Sequence, residues 1–128
     1  MARTVAAIIA AVDDVCPNSF TDEWKAAKLA ALDGDIWLNV LVGDDAELFD
    51  YKMPDDANAA VLVGMPFDTI YDLHLKAQIE FANGEYEKYN NTSAYFEAEF
   101  RRFKAWFLNT YHPAQGYYVP IRGAIANG

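Results

Sequence analysis

The chain has 128 residues and a mass of 14.3 kDa, which suits one domain. Hydrophobic residues make up 53% and aromatic residues 15% of the sequence, which is enough for a packed core and excludes wholesale disorder. Ten basic residues face 19 acidic ones, and the net charge of −9 excludes a generic nucleic-acid coat, because phosphate binding needs clustered positive charge.

The charge is distributed unevenly along the chain. Residues 1–75 carry 14 acidic and 4 basic side chains, whereas residues 76–128 carry 5 acidic and 6 basic ones. This gradient favours contact between unlike surfaces of neighbouring copies. A solvated acidic face is the alternative.

Two helices are predicted in the first third of the chain. Apolar residues at helical spacing indicate a first helix over residues 3–15, and Pro17 ends it. Thr21 is suited to cap a second helix, which Gly34 weakens locally and which ends near Gly43. The buried stripe of this helix is predicted to be Leu29, Leu32, Ile36 and Val40.

Residues 44–66 break the helical pattern and predict a long acidic loop, with a short extended stretch at residues 61–63. The loop aspartates are oxygen ligands of the kind that calcium prefers, but their spacing does not match an EF-hand loop. Solvation is therefore favoured over metal binding. These residues are Asp44, Asp45, Asp50, Asp55 and Asp56.

A third helix is predicted to begin at Pro66 and to end at Asn83 and Gly84. Its apolar face would consist of Ile70, Leu73, Ala77 and Phe81. Residues 85–91 are polar and indicate a short helix or a helical link.

The fourth helix has the clearest pattern, because aromatic residues step by three or four along one face until Pro113 ends it. The stripe consists of Phe96, Phe100, Phe103, Phe107 and Tyr111. The sequence thus predicts a mainly α fold, about a four-helix bundle, in residues 1–113. An extended C-terminal tail would follow over residues 114–128.

The tail is rich in glycine and proline and too short to pack as an element of its own. Its apolar residues are predicted to anchor on a neighbouring subunit, with a frayed terminus as the alternative. The candidate interface residues in the tail are Tyr117, Tyr118, Val119 and Ile121.

Signals of enzymatic chemistry are weak. His74 and His112 do not lie in a spacing typical of metal ligands, and Cys16 follows an apolar helix face like a small buried hydrophobe. The sequence therefore predicts a protein without catalytic residues, metal or cofactor. A single cysteine and the lack of a hydrophobic leader at the start favour a reducing intracellular compartment or a particle assembled there.

Arg101, Arg102 and Lys104 form the one basic cluster of the sequence. Glu97 precedes Arg101 by four residues, an order that suits an ion pair within the helix. Two functional alternatives are contact with a nucleic-acid backbone and contact with the acidic loop of a neighbouring copy. The acidic first half of the chain favours the second of these.

Several short motifs resemble a known family in order and spacing across about residues 5–113. They are Asn18, Phe20-Thr21-Asp22-Glu23, Leu32-Asp33-Gly34, Asp68-Thr69-Ile70-Tyr71, residues 78–86, Tyr89-Asn90-Asn91, Phe103-Lys104-Ala105-Trp106-Phe107 and Thr110-Tyr111-His112-Pro113. The pattern is similar to that of head–tail connector proteins, also called adaptor or neck proteins, of tailed bacteriophages and prophages of Gram-positive bacteria.

The resemblance implies a helical virion protein that forms a homo-oligomeric ring, typically twelve-fold, beneath the portal. The partners would be other copies of the chain, the portal, and a downstream stopper or tail protein. Genomic DNA would pass through the lumen, near the loop aspartates, without specific binding, and no membrane would be involved. The protein would be made in the bacterial cytoplasm and reside at the head–tail interface, and no enzymatic residues come with the family.

Three alternatives to the adaptor role stay open. A head-completion or stopper protein would occupy the next ring of the same particle. A non-virion binding module would stay in the cytoplasm as a monomer or dimer. An enzyme would depend on His74, His112 or Cys16 for turnover.

Overall fold

A computed structural model describes residues 2–41 and 49–110 of the chain. These residues form four α-helices, which confirms the predicted mainly α, four-helix fold. The helices are α1 (Val5–Val15), α2 (Asp22–Asn39), α3 (Thr69–Ala82) and α4 (Tyr86–Thr110). The predicted tail, residues 114–128, lies outside the described residues, and its boundary stays a prediction.

Threonine side chains cap the N-terminal ends of the first two helices. The Oγ1 atom of Thr4 accepts a hydrogen bond from the backbone N–H of Ala7 at 3.1 Å, and that of Thr21 accepts one from Trp24 at 3.1 Å. Each bond satisfies one of the free N–H groups at a helix start. The cap at Thr21 is confirmed, and α1 begins two residues later than the predicted range of 3–15.

The apolar stripe of α2 is confirmed, because all four predicted positions are buried (Leu29, Leu32, Ile36 and Val40). Gly34 lies inside the helix without interrupting it. The helix ends at Asn39, and the Val40 N–H still donates to the Ile36 carbonyl as the cap. The predicted end near Gly43 is wrong, because the helix ends four residues earlier.

The start of α3 differs from the prediction, which put Pro66 in its first turn. Pro66 instead lies in a turn closed by a hydrogen bond from the Phe67 N–H to the Gly64 carbonyl at 3.1 Å, and the helix begins at Thr69. Asp68 is the N-cap residue, but its carboxylate is directed to the Arg3 guanidinium at 2.9 Å. The segment that precedes α1 is thereby fixed to the start of α3.

Gly84 connects α3 to α4 in a tight turn. Its φ of +76° lies in the left-handed region, which glycine adopts without steric cost, and the predicted stop at this position is confirmed. The helical character predicted for residues 85–91 is confirmed from Tyr86 onward, but these residues form the first turns of α4 and not a separate helix or link. They are almost all exposed, so they carry no apolar stripe that would have indicated continuity with the rest of α4.

Helix α3 lies at the centre of the fold. Helices α1 and α2 pack against each other and against α3, whereas α4 packs against α3 alone among the described helices. The predicted single apolar face of α3 is therefore wrong: Leu73 is only partly buried, and Phe81 is 53% exposed. A helix contacted from several sides buries residues around its circumference, here Ile70, Tyr71, Leu75, Ala77, Ile79 and Glu80.

The aromatic stripe of α4 makes its contact with α3. Phe100, Phe103 and Phe107 are buried, and Phe96 is partly buried with its ring stacked on Phe100 at 5.3 Å. The fifth predicted member, Tyr111, lies outside the described residues. The prediction of an apolar face on this helix is therefore confirmed for its described part.

The described part of the predicted 44–66 loop is irregular but firmly held. The Val5 N–H donates to the Ala59 carbonyl at 2.9 Å, and the Val61 N–H donates to the Arg3 carbonyl at 3.1 Å. Residues 61–63 are buried but form no strand within the described chain; an isolated antiparallel bridge joins Thr4 to Ala60 instead. The segment thus covers the core as a well-packed connection.

Candidate functional site

A buried polar network connects α2, α3 and the irregular segment. Asp33 of α2 has no exposed surface, and its two carboxylate oxygens accept hydrogen bonds from the hydroxyls of Tyr51 and Tyr71, each at 2.5 Å. The backbone N–H of Leu62 donates to the same carboxylate at 3.1 Å. One carboxylate therefore fixes three parts of the chain that are distant in sequence.

Tyr71 extends this network to Val63 of the irregular segment. Its hydroxyl accepts a hydrogen bond from the Val63 N–H at 2.9 Å while it donates to Asp33. Burial, and then the negative charge of Asp33, raise the pKa of Tyr71 well above its ordinary value. The phenol therefore keeps its proton at neutral pH and serves as a donor, which is a positioning role.

The position of Asp33 in the sequence is a signal for this network. Asp33 follows Leu29 by four residues and precedes Ile36 by three, so it lies on the apolar face of α2. An acidic residue within an apolar stripe indicates a buried group with dedicated donors. Asp33 also lies within the Leu32-Asp33-Gly34 motif of the resemblance.

The predicted basic cluster lies on α4, and its side chains form an ion pair and contacts with aromatic rings. Arg102 pairs with Glu99 at 2.8 Å and places its guanidinium 5.0 Å from the centre of the Phe67 ring. Lys104 lies 5.1 Å from the centre of the Phe100 ring, and Arg101 is exposed. The ion pair of the cluster thus involves Arg102, and the predicted pairing of Arg101 with Glu97 is wrong.

Much of α4 faces solvent. Opposite its aromatic stripe, the helix presents an exposed row that we call the outer face of α4, with Leu108 71% exposed. The row contains two basic side chains, one acidic side chain, two alanines and a leucine, so it is mildly positive and partly apolar. It consists of Ala94, Glu97, Arg101, Lys104, Ala105 and Leu108.

The loop aspartates are only partly within the described chain. Asp50 pairs with the Lys52 ammonium at 2.8 Å, and Asp56 accepts the Lys52 backbone N–H at 2.8 Å, whereas Asp55 is exposed. Asp44 and Asp45 lie outside the described residues. Over residues 2–41 and 49–110, no group of three or more His, Cys, Asp or Glu side chains is placed to hold a metal ion.

The predicted tail anchors, Tyr117, Tyr118, Val119 and Ile121, lie outside the described residues, as does His112. Cys16 is buried beside the end of α1, as predicted, and burial raises the pKa of its thiol. None of the described helices is both long and apolar enough to cross a membrane.

His74 on α3 is partly buried, with its ring centre 5.7 Å from that of Phe96. Burial lowers the pKa of its imidazole, although a backbone hydrogen bond with Lys28 acts in the opposite direction. Lys28 also lowers this pKa through its charge, and Asp35 raises it. A neutral ring packed between helices fits the predicted core or interface role.

Lowering the pH is expected to destabilise the protein through His74. The unfolded chain binds a proton near pH 6.5 while the folded chain resists it, so stability falls as the pH drops from about 7.5 to 5.5. The His74→Gln variant should show a flatter dependence of urea midpoint on pH over this range, and His112→Gln serves as the control. An unchanged dependence in His74→Gln would contradict the assignment.

Comparison of the chain with protein-family models, with curated proteins and with solved structures finds no match. The motifs that resemble phage connector proteins therefore stand on the sequence alone.

Proposed function

We propose that the chain is a structural protein of a tailed-bacteriophage virion, a head–tail adaptor. In this role it forms a ring below the portal, joins the capsid to the tail and extends the DNA channel. The sequence motifs across residues 5–113 point to this class. One structural observation supports it: α1 and α2 carry exposed acidic side chains, whereas α4 carries an exposed row that is mildly positive and partly apolar.

The first of these surfaces is acidic. Five exposed carboxylates lie at the C-terminal end of α1 and on α2. We call them the acidic surface, and they are Asp13, Asp14, Asp22, Glu23 and Asp35. Lys25 is buried and offsets Asp13 in an ion pair at 2.8 Å. The other four carboxylates outnumber Lys28, the remaining basic side chain of the two helices, so this surface is negative.

The second surface is the outer face of α4. It belongs to α4, which packs against α3 and not against α1 or α2 among the described helices. Arg101 and Lys104 are exposed on it, and Leu108 adds an apolar contact. A ring built from head-to-tail contacts needs two different, complementary faces on each subunit, and these two surfaces have that property.

Charge also suits the channel role. A net charge of −9 on each copy gives a ring a negative field, which repels DNA phosphates and lets the duplex slide without adhering. The loop aspartates are the proposed lumen residues, and the apolar residues of the tail are the proposed anchors on a neighbouring copy or on the portal. No membrane takes part in this assembly.

Two other roles make different predictions. A stopper protein would occupy the ring below the adaptor and would not contact the portal. A cytoplasmic binding module would be absent from particles. Two complementary surfaces favour assembly into a ring at either neck position, so contact with the portal is the deciding observation.

The deciding experiment is to purify virions from the cells that make this chain, detect it by mass spectrometry and image the neck by cryo-electron microscopy. The proposal expects a ring directly below the portal, with α4 of one copy against α1 and α2 of the next. A ring one position lower would indicate the stopper role. Absence from the particles would overturn the proposal.

Deleting residues 116–128 is expected to leave the helical domain folded but to reduce the yield of tailed particles severely. The reason is that the proposed aromatic anchors are lost while the described helices are not touched. A matched control replaces the same residues by a glycine–serine segment of equal length, which separates side-chain contacts from length. Circular dichroism checks the fold, and normal particle assembly by the truncated chain would contradict the anchor role.

A further inference from the structure

A groove runs along the contact between α3 and α4. It consists of two adjoining clefts, of about 460 Å³ and about 550 Å³, which share Leu73 and Tyr95 in their walls. The first cleft reaches the end of α1, and the second reaches Pro66 before the start of α3. Along α4 the two clefts together extend from Lys88 to Arg102, a length of about 20 Å at the rise of an α-helix. We call them the α3–α4 groove.

The charged side chains that line the α3–α4 groove in the described part of the chain are paired. The ion pairs along it are Lys76–Glu80 at 3.1 Å, Lys88–Glu85 at 3.6 Å and Arg102–Glu99 at 2.8 Å. The remaining carboxylate, that of Asp72, pairs with the Arg3 guanidinium. A charged occupant would have to compete with these pairs, so the groove suits an occupant without charge.

Between the ion pairs, the groove exposes aromatic and aliphatic surface. Tyr95 is 68% exposed, and its side chain makes no hydrogen bond or ring contact within residues 2–41 and 49–110. Val15, in the wall of the first cleft, is also 68% exposed, and Leu73 is only partly buried. Covering this surface with apolar side chains would remove it from water, which is favourable.

The sequence contains an uncharged apolar segment shortly after α4. Residues 113–121 hold no acidic or basic side chain, and they lie outside the described residues. The apolar members are the proposed tail anchors Tyr117, Tyr118, Val119 and Ile121. The ring of Trp106, near the end of α4, lies 5.0 Å from that of Phe67, so the segment follows α4 at the Pro66 end of the groove.

The length of this segment matches the position of the groove. Arg102 and Tyr95, which bound the second cleft on α4, precede Thr110 by eight and 15 residues, or about 12 and 22 Å along the helix. Residues 117–121 follow Pro113 by four to eight residues, or about 13–26 Å of extended chain. A chain that reversed its direction at Pro113 would therefore bring these residues to the second cleft of its own subunit.

We propose that in the free subunit the α3–α4 groove binds residues 117–121 of the same chain, with Tyr117 or Tyr118 against Leu73 and Tyr95. The inference rests on the proposed role of the tail as an anchor, and it names the surface that holds the anchors before assembly. Binding within one copy is favoured over binding between copies, because the tether gives the segment a high effective concentration at its own groove. Assembly would then transfer the segment to a neighbouring copy or to the portal.

Photo-cross-linking of the purified full-length chain tests this contact. Tyr118 is replaced by p-benzoylphenylalanine, and the products of irradiation are mapped by mass spectrometry. The expected product joins position 118 to the peptides that contain Leu73 or Tyr95 within one chain. An equal mixture with isotope-labelled chains detects links between copies. Links to other surfaces, links mainly between copies, or no link at all would overturn the proposal.

Tyr95→Lys should remove most of this cross-link, because it replaces the exposed ring of the groove by a charge. Tyr86→Lys is the matched control and should leave the cross-link unchanged, since Tyr86 is 57% exposed on the same helix but lines neither cleft. Both side chains are exposed, so both variants should fold, which circular dichroism checks. Equal yields in the two variants would contradict the assignment.

The cross-linking experiment is independent of the search for the chain in virions. Failure to cross-link at the groove would leave the adaptor role standing, because the anchors could still bind a neighbouring copy. Absence of the chain from virions would overturn the adaptor role and leave a contact between the tail and the α3–α4 groove intact.

Discussion

Replacing Asp33 by alanine is expected to lower the free energy of unfolding by about 3–5 kcal/mol. The carboxylate is fully buried and accepts hydrogen bonds from the Tyr51 and Tyr71 hydroxyls and from the Leu62 N–H. Truncation leaves these donors inside the protein without their acceptor. It also releases the irregular segment from α2, so the loss extends beyond one contact. Urea unfolding monitored by circular dichroism measures the effect.

The matched control is Asp35→Ala on the same helix. Asp35 is exposed and its carboxylate accepts a hydrogen bond from the Asn39 side chain, so its removal should cost less than about 0.5 kcal/mol. Tyr51→Phe removes a single donor and should cost about 1–2 kcal/mol. An Asp33→Ala variant that is as stable as Asp35→Ala would contradict the central role of this network.

Phe103→Ala is expected to destabilise the protein by about 3–5 kcal/mol. The Phe103 side chain has no exposed surface, and its ring lies among three others, with centre-to-centre distances of 5.7 Å to Phe67, 6.2 Å to Phe100 and 6.3 Å to Phe107. Truncation therefore opens a cavity between α3 and α4, and these helices contact each other along this stripe. Thermal and urea unfolding of the purified variant test the expectation.

Leu108→Ala provides the comparison on the same helix, because Leu108 is 71% exposed and buries little surface in the isolated subunit. Its substitution should change the free energy of unfolding by less than about 0.5 kcal/mol. A loss below about 1 kcal/mol in Phe103→Ala would show that the stripe contributes little to the core.

The helices could be predicted from sequence where one apolar face meets the core. The stripe of α2 and the stripe of α4 repeat at three and four residues, and both are buried as that period requires. Capping at Thr21 and reversal at Gly84 are local properties of single residues, so they too could be predicted.

The rest depends on contacts between distant parts of the chain. The buried set of α3 could not be inferred from one face, because α1, α2 and α4 surround that helix and the period is lost. The first turns of α4 are polar, so the sequence does not show that they are continuous with the aromatic part of the helix. The partners of Asp33 lie 18 to 38 residues away, and no local pattern shows that Tyr51 and Tyr71 meet there.

The burial of Glu80 could not be predicted either. This residue lies next to a predicted apolar position and looks like an ordinary solvated acid in the sequence. Its burial follows from the approach of the end of α1 and the first half of α4, which line one cleft together with α3. A buried carboxylate of this kind becomes visible only when the helices are assembled.

The ion pairs of Arg3 with Asp68 and Asp72 hold the first described residues beside the start of α3. The ring of Trp106, near the end of α4, lies 5.0 Å from Phe67 at the same place. Both extremities of the described chain therefore emerge at one pole of the subunit, and the Gly84 turn marks the other, about 20 Å away along α3. Fluorophores attached near residues 2 and 109 would lie at the same pole, whereas a dye attached at the Gly84 turn would report from the opposite one.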